Sequence, residues 1–467
     1  MTAMQPSALT TLGYLVTAVA FMFGIQLLRS PATARTGNRI AAVGMLLVLG
    51  ITAALIHNTS NWPLIIPPII VGAVIGAVSA RLVRMTAMPQ MVALFNGMGG
   101  GSAALIAAQD FRTAVAHGTA HPDITWAIMV SCIIGSLSFA GSLVAFAKLQ
   151  ELMPGRPLTY RLQSVVNGLL LVVILALGVY LIVGDQNLAL FLVFILLSLL
   201  LGVLFVVPIG GADMPVIISL LNSFTGLAAA STGFVLSNDV LIVSGALVGA
   251  SGTILTLAMS KAMNRSLFNV LFSGFGSKVE SVGSAAGAEG GTIHPTTVED
   301  LAPLLAFAQL VVFVPGYGMA VARAQHEVKE LADELEKRGV TVEYAIHPVA
   351  GRMPGHMNVL LAEANVPYPQ LKEMDAVNGD FPRTDVAVVI GANDVVNPAA
   401  RTQTNSPIYG MPILDVDQAK TVVVLKRSMA TGFAGVDNPL FYKPNTLMLF
   451  GDARSSVAAL VAEVKKQ

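Results

Sequence analysis

The chain has 467 residues, of which 54% are hydrophobic and only 12% are charged, and its net charge at pH 7 is zero. The length leaves room for two or three domains. The charged fraction is about half the usual share for soluble proteins, which indicates a membrane protein. The neutral balance gives no reason to expect a nucleic-acid partner, and the single cysteine, Cys132, excludes an internal disulfide or a cysteine-based metal site.

Apolar stretches long enough to cross a bilayer recur through the first half of the chain. They are predicted near 11–28, 40–57, 63–80, 88–108, 124–147, 162–184, 187–208, 214–236 and 238–260. Basic residues follow the first, third, fifth and ninth spans, namely Arg29, Arg35, Arg39, Arg81, Arg84, Lys148, Arg156, Arg161, Lys261 and Arg265, whereas the alternate loops hold only Arg112. Because basic loops stay in the cytoplasm, this asymmetry predicts an N-terminus outside and a cytoplasmic C-terminal domain.

Two asparagines lie in the middle of predicted spans, Asn96 in the fourth and Asn222 in the eighth. A buried amide in hydrocarbon needs a partner, so each either joins helices or lines a hydrated path, and the sequence leaves both open. Glycines such as Gly245, Gly249 and Gly252 are interpreted as close helix packing. No titratable residue lies at a span's middle, so a proton path would need its relay group from a partner subunit, or there is no such path.

The apolar pattern ends after Arg265, and residues 273–291 consist largely of Gly, Ser and Ala, which is typical of a flexible connector. We therefore predict a membrane domain at 1–265, a linker at 266–295 and an α/β domain at 296–467. Strands are predicted at 311–314, 340–346, 386–390, 421–425 and 446–450, and helices at 318–338, 355–364 and 452–466. This alternation indicates a parallel, doubly wound sheet with its ligand at the carboxyl ends of the strands.

The first predicted strand runs into Pro315-Gly316-Tyr317-Gly318 and then directly into a helical pattern. A strand, a glycine turn and a helix place backbone N–H groups and a helix N-terminus against a pyrophosphate. Val321 stands where the third glycine or alanine of this fingerprint usually lies. On the motif alone, a nucleotide site and a plain tight turn both remain open.

Three further features favour a nucleotide site and indicate NADP rather than NAD. The second strand ends in Ile346-His347, without the acid that accepts a ribose 2′-hydroxyl in NAD sites. Lys426 and Arg427 end the fourth strand and suit a 2′-phosphate, although a solvated surface pair would look the same. A turn that leads to Asp394 ends the third strand, where a plain helix N-cap is the alternative.

Two more glycine-rich turns are candidates for the site. Residues 350–355 carry Arg352 and form either a phosphate contact or an ordinary loop. Residues 432–435 combine two glycines with Phe433, which would cover a bound cofactor. The sequence shows neither a Ser/His/Asp arrangement nor metal-ligand spacing, so we predict no metal site.

The long segments 315–322, 347–358, 391–394, 426–428 and 451–453 resemble the β subunit of proton-translocating nicotinamide nucleotide transhydrogenase. In the membrane half, residues 210–215, 236–239 and 261–266 are similar to the same family, so the resemblance covers nearly the whole chain.

The resemblance implies hydride transfer between NAD(H), held by a separate α subunit, and NADP(H), held by a Rossmann-like domain at the C-terminus of this chain. By the same resemblance, the transfer would be coupled to proton movement across the bacterial plasma (inner) membrane. The expected partners are α subunits that carry the NAD(H) domain and additional transmembrane helices, in a dimer of protomers embedded in lipid, and the chain alone is expected to be inactive. The alternatives are a transporter with a cytoplasmic nucleotide-sensing domain and a membrane-anchored NADP reductase, for which nine spans exceed the need for an anchor.

The resemblance also assigns roles to residues of this chain. Tyr317 and its glycines would hold the NADP pyrophosphate, and Lys426 and Arg427 the 2′-phosphate. Asp394 would lie near the nicotinamide, as a catalytic candidate that links protonation to nucleotide exchange. Residues 432–435 would act as a lid. The expected cofactor contacts are Gly316, Tyr317, Gly318, Met319, Ala320, Val321, Val349, Ala350, Gly351, Arg352, Met353, Pro354, Gly391, Ala392, Asn393, Asp394, Val395, Lys426, Arg427, Ser428, Gly432, Phe433, Ala434, Gly435, Asp452 and Ala453.

For the proton path, Asn96 occupies the position where some members of that family have a histidine thought to carry the proton. We therefore expect the relay histidine on a transmembrane helix of the α partner. In this chain we expect Asn96, Asn222, Asp213 and Arg265 to lie along the path.

Overall fold

The structure, a computed structural model, describes residues 8–56, 59–83, 87–118, 121–150, 152–154, 158, 160, 162–210, 213–262, 267, 292–353, 355–404, 406, 408–432 and 434–467. The chain divides into two compact units, Met1–Thr256 and Leu257–Gln467. Most of the predicted linker, and with it Arg265, lies outside the described residues, so the division into domains stays a prediction.

Within the described part of the first unit and its junction with the second, nine helices are long and apolar enough to cross a membrane. They are α1 (Ala8–Leu27), α2 (Pro31–Leu55), α3 (Trp62–Leu82), α4 (Met88–His117), α5 (Pro122–Leu149), α6 (Gln163–Val183), α7 (Leu188–Val206), α8 (Met214–Val235) and α9 (Asp239–Ala262). The nine predicted spans are thus confirmed, with differences in extent at two of them.

Helix α2 begins at Pro31, well before the predicted start at 40. Proline is tolerated in the first turn of a helix because the N–H that it lacks has no partner there. Arg35 and Arg39 consequently lie in the first turns of α2 and not in a loop.

Helix α4 continues to His117, beyond the predicted end at 108, and closes where Gly118 adopts the left-handed conformation with φ of 64°. Its 30 residues correspond to about 45 Å, longer than the roughly 30 Å hydrocarbon core of a bilayer. Asp110 and Arg112, expected at a span end or in a loop, therefore lie within the last turns of this helix.

Small residues bring the central helices of the membrane unit together, as the sequence predicts. A Cβ atom on Gly245 of α9 would lie 2.4 Å from the backbone nitrogen of Ala230 in α8, and one on Gly226 of α8 would lie 2.5 Å from that of Gly249. Such separations are shorter than any van der Waals contact, so only glycine permits this approach of α8 to α9.

The second unit contains a six-stranded parallel sheet in the order β3-β2-β1-β4-β5-β6. The strands are β1 (Leu310–Pro315), β2 (Thr341–Ile346), β3 (Leu371–Glu373), β4 (Val386–Ile390), β5 (Thr421–Lys426) and β6 (Thr446–Phe450). All five predicted strands are confirmed, and only the three-residue β3 was missed. The order reverses between β1 and β4, which is the arrangement of a doubly wound, Rossmann-like sheet.

Both faces of this sheet are covered, so its central strands are apolar on every residue. One face packs Val312, Val389 and Val424 against Phe381 and Phe441 in a continuous buried cluster. The helices of the unit are α10 (Val298–Ala306), α11 (Tyr317–Ala322), α12 (Gln325–Glu336), α13 (His356–Glu363), α14 (Met374–Val377), α15 (Ala399–Thr402) and α16 (Ala453–Val464).

The prediction of a single helix at 318–338 is wrong, because the chain forms two helices there, α11 and α12. Arg323 adopts the left-handed conformation with φ of 52° and ends α11. The N–H of Ala324 then bonds to the carbonyl of Met319, which closes the short helix. Met319 in α11 and Val328 in α12 are both fully buried, so the break allows two differently directed helices to cover the same sheet.

The chain preceding α10 pairs with the outer edge of β6. The N–H of Met448 donates to the carbonyl of His294 at 2.8 Å, and the N–H of Thr296 donates to the carbonyl of Met448 at 3.0 Å. Residues that sequence analysis placed at the end of the linker therefore cover an otherwise exposed strand edge.

Candidate functional site

The turns that follow β1 and β4 interlock at the reversal of strand order. The N–H of Gly316 donates to the carbonyl of Ile390, and that of Gly318 to the carbonyl of Gly391, both at 2.9 Å. A Cβ on Gly316 would lie 2.4 Å from the backbone nitrogen of Ala392, and one on Gly318 would lie 2.6 Å from the Cα of Gly391. The glycines thus allow two backbones to touch, and the amides of Gly316 and Gly318 are already hydrogen-bonded inside the turn.

The loop after β2 folds onto the start of α11. The guanidinium carbon of Arg352 lies 4.7 Å from the centre of the Tyr317 ring, a cation–π distance. The N–H of Arg352 donates to Nδ1 of His356 at 3.1 Å. Gly351 permits this contact, because its φ is 104° and a Cβ there would lie 2.3 Å from His356 Nδ1. Two turns predicted separately are therefore brought together, with a cation beside the glycine turn of β1.

Two histidines missing from the predicted contacts hold this loop in place. His356 is fully buried, and burial and the nearby Arg352 lower its pKa to about 4. It is therefore neutral at pH 7, accepts at Nδ1 and carries its proton on Nε2, which has no hydrogen-bond partner among the described residues. His347 is also buried, with its pKa lowered by burial, and its Nε2 lies 2.8 Å from the carbonyl of Pro412.

The predicted lid contacts the predicted catalytic carboxylate. The N–H of Ala434 donates to Oδ2 of Asp394 at 2.9 Å, and a Cβ on Gly432 would lie 2.3 Å from Asp394 Oδ1. The side chain of Asn438 donates to both the carbonyl and the side-chain oxygen of Asn393, at 3.1 and 3.0 Å. The loop and the β4 turn are thereby joined, whereas Phe433 lies outside the described residues.

The two cations predicted for the 2′-phosphate lie at the end of β5 in different surroundings. Nζ of Lys426 donates to the carbonyl of Ala430 and lies 4.6 Å from the centre of the Phe441 ring. Burial lowers the pKa of Lys426, partly offset by the nearby carboxylates of Asp394 and Asp437.

Arg427 is exposed and pairs with Asp452, with Nη2 2.9 Å from Oδ2. Asp452 in turn accepts from the N–H of Arg454 at 3.1 Å and caps the start of α16. An exposed ion pair of this kind contributes roughly 0.2–1 kcal/mol, so a phosphate dianion can take the place of the carboxylate beside Arg427.

The remaining predicted contacts differ in accessibility. Met319, Ala320 and Ala453 are buried in the domain core, so any contact they make with a cofactor passes through the backbone. Val321 is exposed, Ser428 accepts from the N–H of Ala430 at 3.4 Å, and Pro354 lies outside the described residues. The other predicted contacts belong to the turns already placed at the carboxyl edge of the sheet. Val349, Ala350 and Met353 lie in the loop after β2, Val395 follows Asp394, and Gly435 lies in the loop whose Ala434 contacts Asp394.

In the membrane unit, Asn96 is buried and hydrogen-bonded to α5. Its Nδ2 donates to Ser142 Oγ at 2.9 Å and to Ser138 Oγ at 3.4 Å, and Ser138 is hydrogen-bonded to Thr225 of α8 at 2.6 Å. Asn96 Oδ1 is buried and has no hydrogen-bond partner in the described part of the chain. Asn222, partly buried, lies one turn before Thr225.

Sequence reasoning missed Ser138 and Ser142, because serines are frequent in membrane helices and bond to their own backbone. Of the other residues predicted along the path, Asp213 is buried at the start of α8.

Fold and site together define a polytopic membrane protein with a Rossmann-like domain. That domain has a crevice at the reversal of strand order, the position where such folds bind nucleotides. A family model described as NAD(P) transhydrogenase beta subunit matches residues 10–463. Two relatives from Rhodospirillum rubrum, one of them from a designated strain, are described as NAD(P) transhydrogenase subunit beta. Each is 48% identical over 461 residues, which cover 97% of this chain and 98% of the relative. The chain belongs to the NAD(P) transhydrogenase beta subunit family.

Proposed function

We propose that this chain is the NADP(H)-binding and membrane subunit of a proton-translocating transhydrogenase. It couples hydride transfer between NAD(H) and NADP(H) to proton movement across the membrane. The observation that carries the proposal is the meeting of five candidate turns at one edge of the sheet, where β1 and β4 diverge, in a chain whose described residues form nine helices of membrane length.

The groups at this edge fit NADP(H) better than NAD(H). Arg352, Lys426 and Arg427 supply cations for a pyrophosphate and a 2′-phosphate, and Arg grips phosphate in a bidentate way. Strand β2 ends at Ile346 and continues into the buried His347, without a carboxylate for a ribose 2′-hydroxyl. The nicotinamide supplies the hydride chemistry, so the protein binds, orients and excludes water. NAD(H) is held by the α partner.

Asp394 links protonation to cofactor exchange in this proposal. Its carboxylate accepts the N–H of Ala434 and so holds the loop at 432–435 against the β4 turn. Protonation removes the negative charge that strengthens this hydrogen bond and allows the loop to open. The loop then acts as a lid whose release permits NADP(H) to exchange.

The proton path follows Asn96, Ser142 and Asn222, with Asp213 and Arg265 toward the cytoplasmic end. A transmembrane helix of the α partner supplies the titratable relay. The N-terminus lies outside and the domain at 296–467, joined by the linker at 266–295, lies in the cytoplasm of a bacterium, within a dimer of protomers in the inner membrane.

Reconstitution of the chain with its α partner in liposomes tests the proposal. Hydride transfer from NADH to an NADP analogue is followed together with the internal pH. Transfer that changes internal pH is expected. Absence of hydride transfer contradicts the enzymatic role, and transfer without any pH change contradicts the coupling and favours a membrane-anchored reductase.

A further inference from the structure

A buried lysine lies where the C-terminal ends of α5 and α7 meet. Lys148 belongs to the last turn of α5 and is only 3% exposed. Its Nζ donates to the carbonyls of Val207 at 2.5 Å and Ile209 at 2.6 Å. These carbonyls follow directly on the end of α7, whose dipole places partial negative charge there, and the carbonyl of Val207 also accepts from the N–H of Leu158 at 3.4 Å.

Charged residues are rarely buried in this membrane unit. Among its described residues, Lys148 and Asp213 are the ones that are both charged and buried. No described carboxylate lies within ion-pair distance of Lys148 Nζ. The amide of Gln90 lies next to this end of α5, and Asp213 is the buried carboxylate at the start of α8. Glu151, three residues further along the chain from Lys148, lies outside the described residues.

Two buried amides at helix starts of the membrane unit have unsatisfied atoms, and one of them, Gln90, contacts the end of α5. Gln90, in the first turn of α4, donates through Nε2 to the carbonyl of Leu149 at 3.0 Å. Its Oε1, and that of Gln163 at the start of α6, are buried and have no hydrogen-bond partner among the described residues. Buried polar atoms without protein partners are typical of sites that hold water.

The number of acceptors around Lys148 fits both protonation states of its side chain. A neutral amine has two N–H donors, and the carbonyls of Val207 and Ile209 accept both. The ammonium has three donors, so one proton remains without an acceptor in the described structure. Because a buried ion without a counter-ion is costly, the surroundings do not favour the charged state strongly, and the third proton is the exchangeable one.

The lysine lies further along α5 than the serines that contact Asn96. Ser142, which accepts from Asn96, precedes Lys148 by six residues, or about 9 Å along the helix axis and about 120° around it. Lys148 therefore lies on a different face of α5 from Ser142, at the end of the bundle where Gln90 contacts Leu149.

We propose that Lys148 is the residue of this chain that exchanges a proton with water at this end of the membrane path. The ammonium passes its third proton to a water molecule, which leaves as hydronium, and the remaining amine keeps both carbonyl contacts. The reverse step recharges the amine, so protons and charge balance in each direction. This inference rests on the proposed function. It adds to it a titratable group of this chain at the end of the path, whereas the midplane relay still comes from the α partner.

The first test compares Lys148→Arg with Lys261→Arg in the complete complex with the α partner in liposomes. Arginine keeps the charge and reaches the same carbonyls, but it does not release its proton in proteins. Lys261 is an exposed residue in the last turn of α9 and serves as the matched control. We expect Lys148→Arg to reduce proton translocation at least tenfold and Lys261→Arg to leave it unchanged. Translocation at the wild-type rate in Lys148→Arg would overturn the proposal.

A second measurement guards against a variant that only damages the fold. Lys148→Cys in a Cys132→Ala background, followed by aminoethylation, restores an ammonium of similar length on a less basic amine, and position 148 then carries the only thiol of the chain. We expect restored translocation whose alkaline limb is shifted to lower pH. Restored translocation with an unshifted pH profile would assign Lys148 to holding the helix ends and overturn the inference.

A third assay follows hydride transfer from NADH to an oxidised NAD analogue while NADP(H) stays bound and carries the hydride between them. This reaction needs an assembled site but no net proton movement, so it reports whether the complex is intact. We expect this reaction to persist in Lys148→Arg, and its loss there would also assign the lysine to a structural role. The wild-type complex separates the two proposals, because failure of the wild type to move protons contradicts the proposed function itself.

Discussion

At the scale of single residues, His356 accepts a hydrogen bond from the Arg352 N–H only while its ring is neutral. Its pKa is about 4 in the folded chain against about 6.5 when unfolded. Well above pH 6.5 the His356 ring is neutral in both the folded and the unfolded chain, and its contribution to the free energy of unfolding is fully present. As the pH falls from 6.5 to 4 the unfolded state binds the proton first, so the free energy of unfolding falls by an amount on the order of 3 kcal/mol.

The measurement is the pH dependence of urea unfolding, compared between the C-terminal unit and its His356→Gln variant. Glutamine has no proton to bind in this range, so the variant is expected to lose less stability on acidification. The comparison is needed because burial also lowers the pKa of His347. Identical slopes in the two proteins between pH 6.5 and 4 would show that His356 does not titrate as its surroundings require.

Gly391 combines two requirements that a side chain cannot meet. Its φ is 65°, and a Cβ would lie 2.4 Å from the Cα of Gly318. Gly339 shares the positive φ, at 85°, but has nothing within 4 Å of the added Cβ. Gly339→Ala should therefore cost about 1 kcal/mol of stability, and Gly391→Ala should cost about 2 kcal/mol more because of the collision.

Chemical unfolding of both variants measures these free energies, and titration with NADP(H) measures the affinity of the crevice for the cofactor. Weakened NADP(H) binding is expected for Gly391→Ala and not for Gly339→Ala, which lies at the opposite edge of the sheet. Equal destabilisation by the two substitutions would contradict the interlock of the β1 and β4 turns.

Arg427 is predicted to contribute to binding and little to folding. Its pair with Asp452 is exposed and contributes roughly 1 kcal/mol or less to stability. A charge-assisted contact to phosphate is worth about 1.5–3 kcal/mol, so Arg427→Gln should weaken NADP(H) binding about 10- to 100-fold. Isothermal titration of the complex measures this, with Lys465→Gln, which breaks the exposed pair to Glu330, as the control. Equal effects of the two variants on affinity would refute the assignment of the 2′-phosphate site.

At the scale of elements, local patterns predicted what local chemistry determines. Runs of β-branched residues predicted five strands, and apolar length predicted nine membrane helices. The strand β3 has only three residues and one of them is Lys372, too short for a pattern. The break at Arg323 carries no Gly or Pro signal, because tertiary packing of α11 and α12 on one sheet imposes it.

In the candidate site too, local features could be predicted from the sequence and contacts between distant segments could not. Each glycine turn was recognised from its own residues, but the contact of Gly318 with Gly391 joins positions 73 residues apart and follows only from the strand order. The stacking of Arg352 on Tyr317 and the acceptor role of His356 likewise depend on how two loops fold together. The serines beside Asn96 carried no distinguishing signal until α4, α5 and α8 were placed against each other.

At the scale of the whole molecule, the C-terminal unit is expected to fold without the membrane unit. Its sheet is covered on both faces, and residues 294–296 pair with the edge strand β6. A fragment of residues 292–467 should therefore unfold cooperatively and stay monomeric. A matched fragment of 297–467 keeps Thr297, the N-cap of α10, but lacks the edge pairing. It should unfold at a lower midpoint and associate more readily, because an open strand edge invites pairing with another chain.

Circular dichroism during thermal unfolding and size-exclusion chromatography make the comparison. Indistinguishable midpoints and elution volumes would show that the pairing with β6 adds nothing to the domain. Failure of both fragments to fold would mean that the unit depends on the rest of the chain.

The interlocked glycines have a mechanical consequence for cofactor exchange. Backbone contact and two hydrogen bonds hold the β1 and β4 turns together, so the floor of the crevice moves as one piece. Its two walls, the loops at 349–355 and 432–435, are attached mainly through side chains, Arg352, His347 and His356 on one side and Asp394 on the other. Under the proposed function, proton binding is therefore expected to release the cofactor by displacing a wall, because backbone contacts make the floor the stiffer part of the crevice.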